Sequence, residues 1–168
     1  SPFPSQIKDA NVLIDLAVHD IDIMTHLVGS QPIASYSHGG RSLVQDREDH
    51  AEVFLKFKDA SGFVQVNWTT PIKIRTLSVT GTKGHAELDY IQKTLAFYPS
   101  VYSEQKDASG NSVITFSQSE RMNVEVRSAD ALGQELTHFL TCIQTHTPPQ
   151  VTAEEGYNAL ALALSLGK

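Results

Sequence analysis

An acidic and an imidazole side chain, four residues apart, form the part of this sequence with the clearest catalytic potential. Asp15 and His19 lie in the run 12–24, and on a helix they share one face, one turn apart. Asp22 follows His19 by three residues and falls on the same stripe. A carboxylate that holds an imidazole is a common arrangement in general acid–base catalysis, so this stripe is a candidate catalytic site.

Two alternatives to a catalytic role for this stripe stay open. Polar residues on an amphipathic helix are most often simply solvated. Against this, the segment is apolar almost all round, which favours a cleft over open water: Leu13, Ile14, Leu16, Val18. A hydrolase with His19 and Asp20 as metal ligands is the second alternative. The sequence has no His-Glu-x-x-His motif and no Cys pair, so we expect no metal.

The composition indicates one folded domain in a reducing, cytoplasmic setting. The chain has 168 residues, of which 40% are hydrophobic and 19% charged, enough for a core and too apolar for disorder. A net charge of −6 without a Lys/Arg cluster argues against nucleic acid as a partner. The single Cys excludes an internal disulfide framework. No run approaches the roughly 20 apolar residues of a membrane span, so we expect no membrane partner.

Hydrophobic periodicity predicts the order helix, sheet, helices. A first helix is expected over 16–28, with Gly29 as its end. Two helices close the chain, one over 132–143 and one capped by Thr152 and Glu155. Short alternating segments between them predict antiparallel strands: 33–38, 51–57, 63–68, 74–79, 86–90, 94–98, 113–116 and 124–126. The fold class is therefore α+β, a mainly antiparallel open-faced sheet with helices packed on one face, and its free face suits another subunit.

Two distinctive runs of this sequence resemble the Gfo/Idh/MocA oxidoreductases. One is Asp15-Leu16-Ala17-Val18-His19-Asp20-Ile21-Asp22, followed by Leu27-Val28-Gly29, which resembles the start of the family's second domain. The other extends from Asn67-Trp68-Thr69-Thr70-Pro71 to Thr80-Gly81-Thr82-Lys83-Gly84, with Asp89-Tyr90-Ile91-Gln92 after it. The likeness is greatest to members that act on nucleotide sugars, such as UDP-N-acetylglucosamine dehydrogenases. It covers nearly the whole chain.

The resemblance implies that residues 1–168 are one domain of a longer, two-domain enzyme. Family members carry an N-terminal Rossmann domain that binds NAD or NADP and a Glu-Lys-Pro segment that supplies a catalytic Lys. This sequence contains neither a Gly-x-Gly-x-x-Gly motif nor that segment. We therefore expect a substrate-binding and oligomerisation domain, partnered by its own Rossmann domain, and a homodimer or homotetramer formed through the sheet. The isolated fragment is expected to be inactive and to bind no NAD tightly.

The reaction implied by the resemblance is oxidation of a sugar hydroxyl to a ketone. His19 matches the family's base, and Asp15 is expected to orient its ring or to bind a sugar hydroxyl. Asp22 is a candidate to support His19 or the substrate. Asn11 stands where many relatives have Gly, and Asn tolerates left-handed backbone better than most residues.

Three residues of the second run are weaker candidates for substrate binding. Lys73 and Arg75, expected on one face of a strand, suit the diphosphate of a nucleotide sugar, although strand charges more often face solvent or a partner. Trp68 suits stacking on a sugar or base, although a single Trp in an apolar strand is more often part of a core or interface. The alternative to an enzyme is a non-catalytic oligomerisation module whose sheet face pairs with another subunit.

Overall fold

A computed structural model describes residues 9–117, 119–127 and 129–167. The chain divides into two compact units, where the length alone suggested one domain: unit 1 is Ser1–Ile72 with Glu135–Lys168, and unit 2 is Lys73–Gln134. In chain order the described elements are π1 Leu13–Ala17, α1 Val18–Val28, β1 Ala34–Gly40, β2 His50–Lys56, β3 Ser61–Asn67, β4 Thr76–Gly81, β5 Gly84–Asp89, β6 Thr94–Pro99, β7 Tyr102–Lys106, β8 Ser112–Phe116, β9 Met122–Val124, α2 Ala131–Thr145 and α3 Ala153–Leu166.

The first helix begins with a π-helical turn, π1, that leads directly into α1. The backbone N–H of Val18 donates to the carbonyl of Leu13, five residues back, which is π spacing. At the other end Gly29 adopts a left-handed φ of 72° and closes α1. The predicted helix and its glycine stop are confirmed, but its first turn is wider than an α-helical turn.

The strands of unit 1 form an antiparallel sheet in the order β1-β2-β3. Alternation along β2 and β3 sends one set of side chains inward, with Ala51 opposite Val66 and Val53 opposite Val64. The helical elements π1, α1 and α3 contact this sheet and cover that face. The core of unit 1 comprises Val12, Leu13, Ala17, Ile21, Ala51, Val53, Leu55, Phe57, Val64, Val66, Trp68, Ala159 and Ala163.

The opposite face of the same sheet carries a row of exposed aromatic side chains. Tyr36 is paired in register with Phe54, and Phe54 with Phe63, so the three rings cross all three strands. Their centroids lie 6.5 Å and 4.8 Å apart. Each side chain is at least half exposed. The open-faced sheet predicted from the sequence is therefore present in unit 1.

Unit 2 contains two further antiparallel sheets. Four strands pair in the order β4-β5-β6-β9, and β7 pairs only with β8 among the described strands. Helix α2 begins in unit 2 and continues in unit 1. The α+β class and the antiparallel pairing are thus confirmed, while the strands form three hydrogen-bonded sheets. Within the described residues, no helix is long and apolar enough to cross a membrane.

Candidate functional site

Asp15 lies in the middle of π1, and its carboxylate is held by an indole from the core. Trp68 Nε1–H donates a hydrogen bond to Asp15 Oδ2 at 2.9 Å. Trp68 directly follows β3 and is 3% exposed, so its position is fixed by packing. Among the described residues, Asp15 is thus oriented by Trp68 and not by a hydrogen bond to His19.

His19 lies in the first turn of α1, and its side chain is exposed. Ile21, on the other side of the same helix, is completely buried, as the predicted apolar stripe requires. Asp22 is half-buried. Asp15 lies in the π turn, and His19 lies in the first α-helical turn that follows it. The structure leaves the imidazole open to a ligand.

The start of π1 is tied to a distant loop through Asn11. Asn11 Oδ1 accepts the backbone N–H of Ile14 at 3.1 Å, and Asn11 Nδ2 donates to Glu48 Oε2 at 3.0 Å. The carbonyl of Glu48 also accepts the backbone N–H of Val12 at 3.2 Å. Asn11 is not among the described residues with positive φ. The feature that matters at this position is therefore the side-chain bonding of Asn11, rather than a left-handed backbone conformation.

Asp49 is the buried ionic residue that the sequence did not single out. Its carboxylate is completely buried and accepts the backbone N–H groups of Ser42, Leu43 and Val44 at 2.5–3.0 Å. His50 Nδ1 lies 2.8 Å from Asp49 Oδ1. Burial by itself raises the pKa of Asp49, but the hydrogen bonds from Leu43 and Val44, then those from His50 and Ser42, hold the pKa far below its usual range. Asp49 therefore remains a carboxylate inside the protein.

Ser42, His50 and Asp49 do not form a nucleophilic triad. Ser42 Oγ lies 3.2 Å from His50 Nδ1, and Asp49 Oδ1 lies 2.8 Å from the same nitrogen. A triad needs the acid and the hydroxyl on opposite ring nitrogens, so that one orients the ring while the other loses its proton. This cluster is suited to fixing the loop 41–49.

Lys73 and Arg75 belong to unit 2, whereas Asp15 and His19 belong to unit 1. The prediction that strand alternation places both cations on one face is wrong, because β4 begins only after Arg75. Strand β5, which pairs with β4, ends at Asp89. Asp89 Oδ1 accepts two N–H groups of the turn that follows β5. Lys73 is exposed, and the Arg75 guanidinium lies 5.4 Å from the centre of the Tyr90 ring, a cation–π distance.

Trp68 occupies the core position that is more common for a single Trp. At 3% exposure it presents no open ring face on which a sugar or base would stack in this structure. Its functional contact is the polar edge that meets Asp15. The sequence signal for that contact is weak, because the two residues are 53 positions apart in the chain.

No metal-binding group is visible in the part of the chain that the structure describes. Within residues 9–117, 119–127 and 129–167, no three or more His, Cys, Asp or Glu side chains are arranged to hold a metal ion.

The protein-family comparison matches residues 5–165 to the Gfo/Idh/MocA model described as "Oxidoreductase family, C-terminal alpha/beta domain". Two curated relatives are similar at 25% identity. UDP-N-acetylglucosamine 3-dehydrogenase of Acidithiobacillus ferrooxidans matches 99% of this chain and 50% of its own length. Myo-inositol 2-dehydrogenase of Thermotoga maritima matches 94% of this chain and 46% of its own length. The chain therefore spans about half the length of these relatives.

Solved structures show the same fold. The crystallised UDP-N-acetylglucosamine 3-dehydrogenase of Acidithiobacillus ferrooxidans superposes with a TM-score of 0.83 at 22% identity, over 99% of this chain and 50% of that one. The aldose-aldose oxidoreductase of Caulobacter crescentus superposes with a TM-score of 0.70 at 17% identity, over 92% of this chain and 44% of that one. With the family match over 5–165, this chain belongs to the Gfo/Idh/MocA oxidoreductases and corresponds to their C-terminal alpha/beta domain.

Proposed function

We propose that this chain is the substrate-binding and proton-transferring domain of an NAD(P)-dependent dehydrogenase that oxidises a hydroxyl of a UDP-sugar. The family and the names of two relatives, one acting on UDP-N-acetylglucosamine and one on myo-inositol, support an alcohol oxidation. The observation that carries the proposal is local. The Asp15 carboxylate, which the buried indole of Trp68 holds, lies four residues before the exposed imidazole of His19 in the chain.

The proposed chemistry separates a hydride from a proton. Oxidation of an alcohol to a ketone removes a hydride from carbon and a proton from oxygen, and NAD(P) supplies the hydride acceptor when bound. His19 accepts the hydroxyl proton at a ring nitrogen, since imidazole is the side chain that most often serves as a general base. Asp15 Oδ2 is engaged by Trp68, and Oδ1 accepts a hydroxyl of the same sugar, which orients it for proton transfer. Asp22 supports His19 or the sugar from the next turn.

The residues that the structure describes do not fit a dinucleotide. Gly81 and Gly84 bound the tight turn between β4 and β5, whereas a dinucleotide site needs a glycine-rich turn between a strand and a helix. We propose that the cofactor is held mainly by an N-terminal Rossmann domain. Calorimetry of the 168-residue chain with NAD is therefore expected to detect no micromolar binding, and a micromolar Kd would contradict this assignment.

Replacement of His19 tests the proposed base. In the full-length enzyme, His19→Ala is expected to lower kcat about 10²–10⁴-fold at saturating cofactor, because positioned acid–base catalysis contributes this much. His38→Ala is the matched control, since His38 is also an exposed histidine of unit 1 but lies in β1. A fall in kcat below about tenfold for His19→Ala, or an equal fall for the control, would remove His19 from this role.

Lys73 and Arg75 are proposed to contact the diphosphate of the nucleotide sugar. Both side chains are exposed cations, and Arg suits phosphate oxygens. Their replacement by Ala should raise KM for a UDP-sugar more than KM for the same sugar without its nucleotide. Equal changes in the two KM values would argue against diphosphate contact.

The row of exposed aromatic rings favours a second, structural role. Tyr36, Phe54 and Phe63 place apolar surface on the face of the sheet that the helices leave uncovered. We propose that a second copy of the protein covers this face, giving a homodimer or homotetramer. Such assembly is compatible with catalysis, and a purely structural module would show the assembly without the effect of His19→Ala on kcat.

A further inference from the structure

Asp49 is the only charged residue that the described part of the chain buries completely. Its carboxylate holds the turn 42–44 through three backbone N–H groups. The backbone of Asp49 is fixed as well, because its N–H donates to the carbonyl of Gly40 at 2.9 Å. A buried charge with several donors is rigid, since moving any donor leaves part of the charge unsatisfied.

The dipeptide Glu48–Asp49 touches both supports of Asp15. The carbonyl of Asp49 accepts the backbone N–H of Trp68 at 2.9 Å, and the indole of Trp68 in turn holds Asp15. On the other side, Glu48 binds Asn11 through its side chain and Val12 through its carbonyl, at the residues where π1 begins. The position of the Asp15 carboxylate is therefore set from two directions by one short segment.

We propose that Asp49 is a positioning residue for the dehydrogenase reaction, acting through Glu48 and Trp68 on the Asp15 carboxylate. This inference rests on the proposed function of Asp15. Asp49 itself, being buried under the turn 42–44, does not touch the substrate. Its charge fixes the segment from which the two supports of Asp15 extend.

Kinetics of the full-length enzyme test the proposal. Asp49→Asn keeps the side-chain size but removes the charge, and is expected to lower kcat about tenfold with little change in KM for NAD(P). In an Asp15→Asn background the same substitution should have almost no further effect on kcat, because its action passes through Asp15. Asp46→Asn is the matched control: the same change in the same loop, at an exposed carboxylate paired with Arg47. Equal losses of kcat with and without Asp15 would overturn the proposal.

A spectroscopic readout keeps the test independent of activity. Trp68 is the only Trp in this chain, and its indole N–H gives an NMR signal assignable by Trp68→Phe. Asp49→Asn and Asp15→Asn should both shift that signal, while Asp46→Asn leaves it in place. An unshifted signal in Asp49→Asn would overturn the positioning role, even if His19→Ala had already refuted the proposed reaction. If Asp49→Asn does not fold, Glu48→Ala, which removes only the side-chain link to Asn11, carries the same expectations and the same refuting result.

Discussion

Single side chains in unit 1 combine polar function with apolar packing. Trp68 fills the core with its ring and uses its indole N–H to hold the half-buried Asp15. Asp49 is the opposite case, a charge placed inside and hydrogen-bonded by backbone N–H groups and by the His50 ring. In both cases a hydrogen bond fixes a polar group while the apolar surface around it stays buried.

The buried charge of Asp49 makes stability depend on pH in the acid range. Because the pKa of Asp49 is lower in the folded than in the unfolded chain, its stabilisation is present above about pH 4, the ordinary carboxyl pKa, and is lost as pH falls toward the folded pKa. Asp49→Asn should lower the free energy of unfolding at pH 7 by about 2 kcal/mol. Urea titrations from about pH 7 to about 2.5 should show this difference shrinking below about pH 4, and a constant difference would contradict the assignment.

The sequence indicates the candidate site residues more readily than the residues that support them. Asp15 and His19 are recognisable because their spacing and the family motif are local in the chain. The contacts of Asp49, Glu48 and Asn11 are not predictable in this way, because they are made to backbone groups or to residues 37 positions away. Periodicity carries no signal for contacts of that kind.

At the scale of secondary-structure elements, a helix end is predictable when the residues that cap it are close together in the sequence. Thr152 and Glu155 form the capping box expected for α3: Thr152 Oγ1 accepts the Glu155 N–H at 3.2 Å, and Glu155 Oε2 accepts the Thr152 N–H at 2.7 Å. These bonds to Thr152 also lower the pKa of Glu155.

Loss of this cap should be measurable. Thr152→Ala is expected to reduce the free energy of unfolding by about 1 kcal/mol, since the backbone N–H of Glu155 loses its acceptor. Thr152→Ser retains the hydroxyl and should stay close to the parent protein in urea denaturation at neutral pH. A loss of the same size for both variants would show that the methyl group of Thr152, and not its oxygen, is responsible.

Two elements are not predictable from periodicity. Strand β7, Tyr102–Lys106, is exposed along its whole length, so it has no alternation of apolar residues, and its only partner among the described strands is β8. The turn π1 is indistinguishable from ordinary helix in the sequence, because helical spacing assumes four-residue hydrogen bonds. In both cases the element is defined by backbone hydrogen bonds for which the sequence shows no periodic signal.

At the scale of the whole molecule, the chain is recognisable from its sequence as a family domain, while its division into two units is not. Most strands apart from β7 are indicated by local signals, whereas the grouping of strands into separate sheets depends on which strands pair across loops. The exposed aromatic row of unit 1 is the feature at this scale for which a second copy of the protein is proposed as partner.

A positive charge introduced on the aromatic face of the unit 1 sheet tests the proposed assembly. Phe54→Arg places a cation in the middle of the aromatic row and is expected to convert the proposed oligomer of the full-length protein into smaller species, as measured by light scattering after size exclusion. Phe116→Arg is the control, because Phe116 is also an exposed aromatic residue but belongs to unit 2. Dissociation by the control but not by Phe54→Arg would place the interface elsewhere.

The five-residue hydrogen-bond spacing of π1 makes this segment sensitive to a deletion of one residue. It holds one residue more than an α-helix would need between the same neighbours. Deletion of Ile14 would restore the four-residue hydrogen-bond spacing of an α-helix. The residues before it, including Asn11, would then be rotated by about 100° around the helix axis relative to His19. Such a deletion would displace Asn11 and Val12, and with them the contacts of this helix start with Glu48, while leaving the spacing between Asp15 and His19 in the chain unchanged.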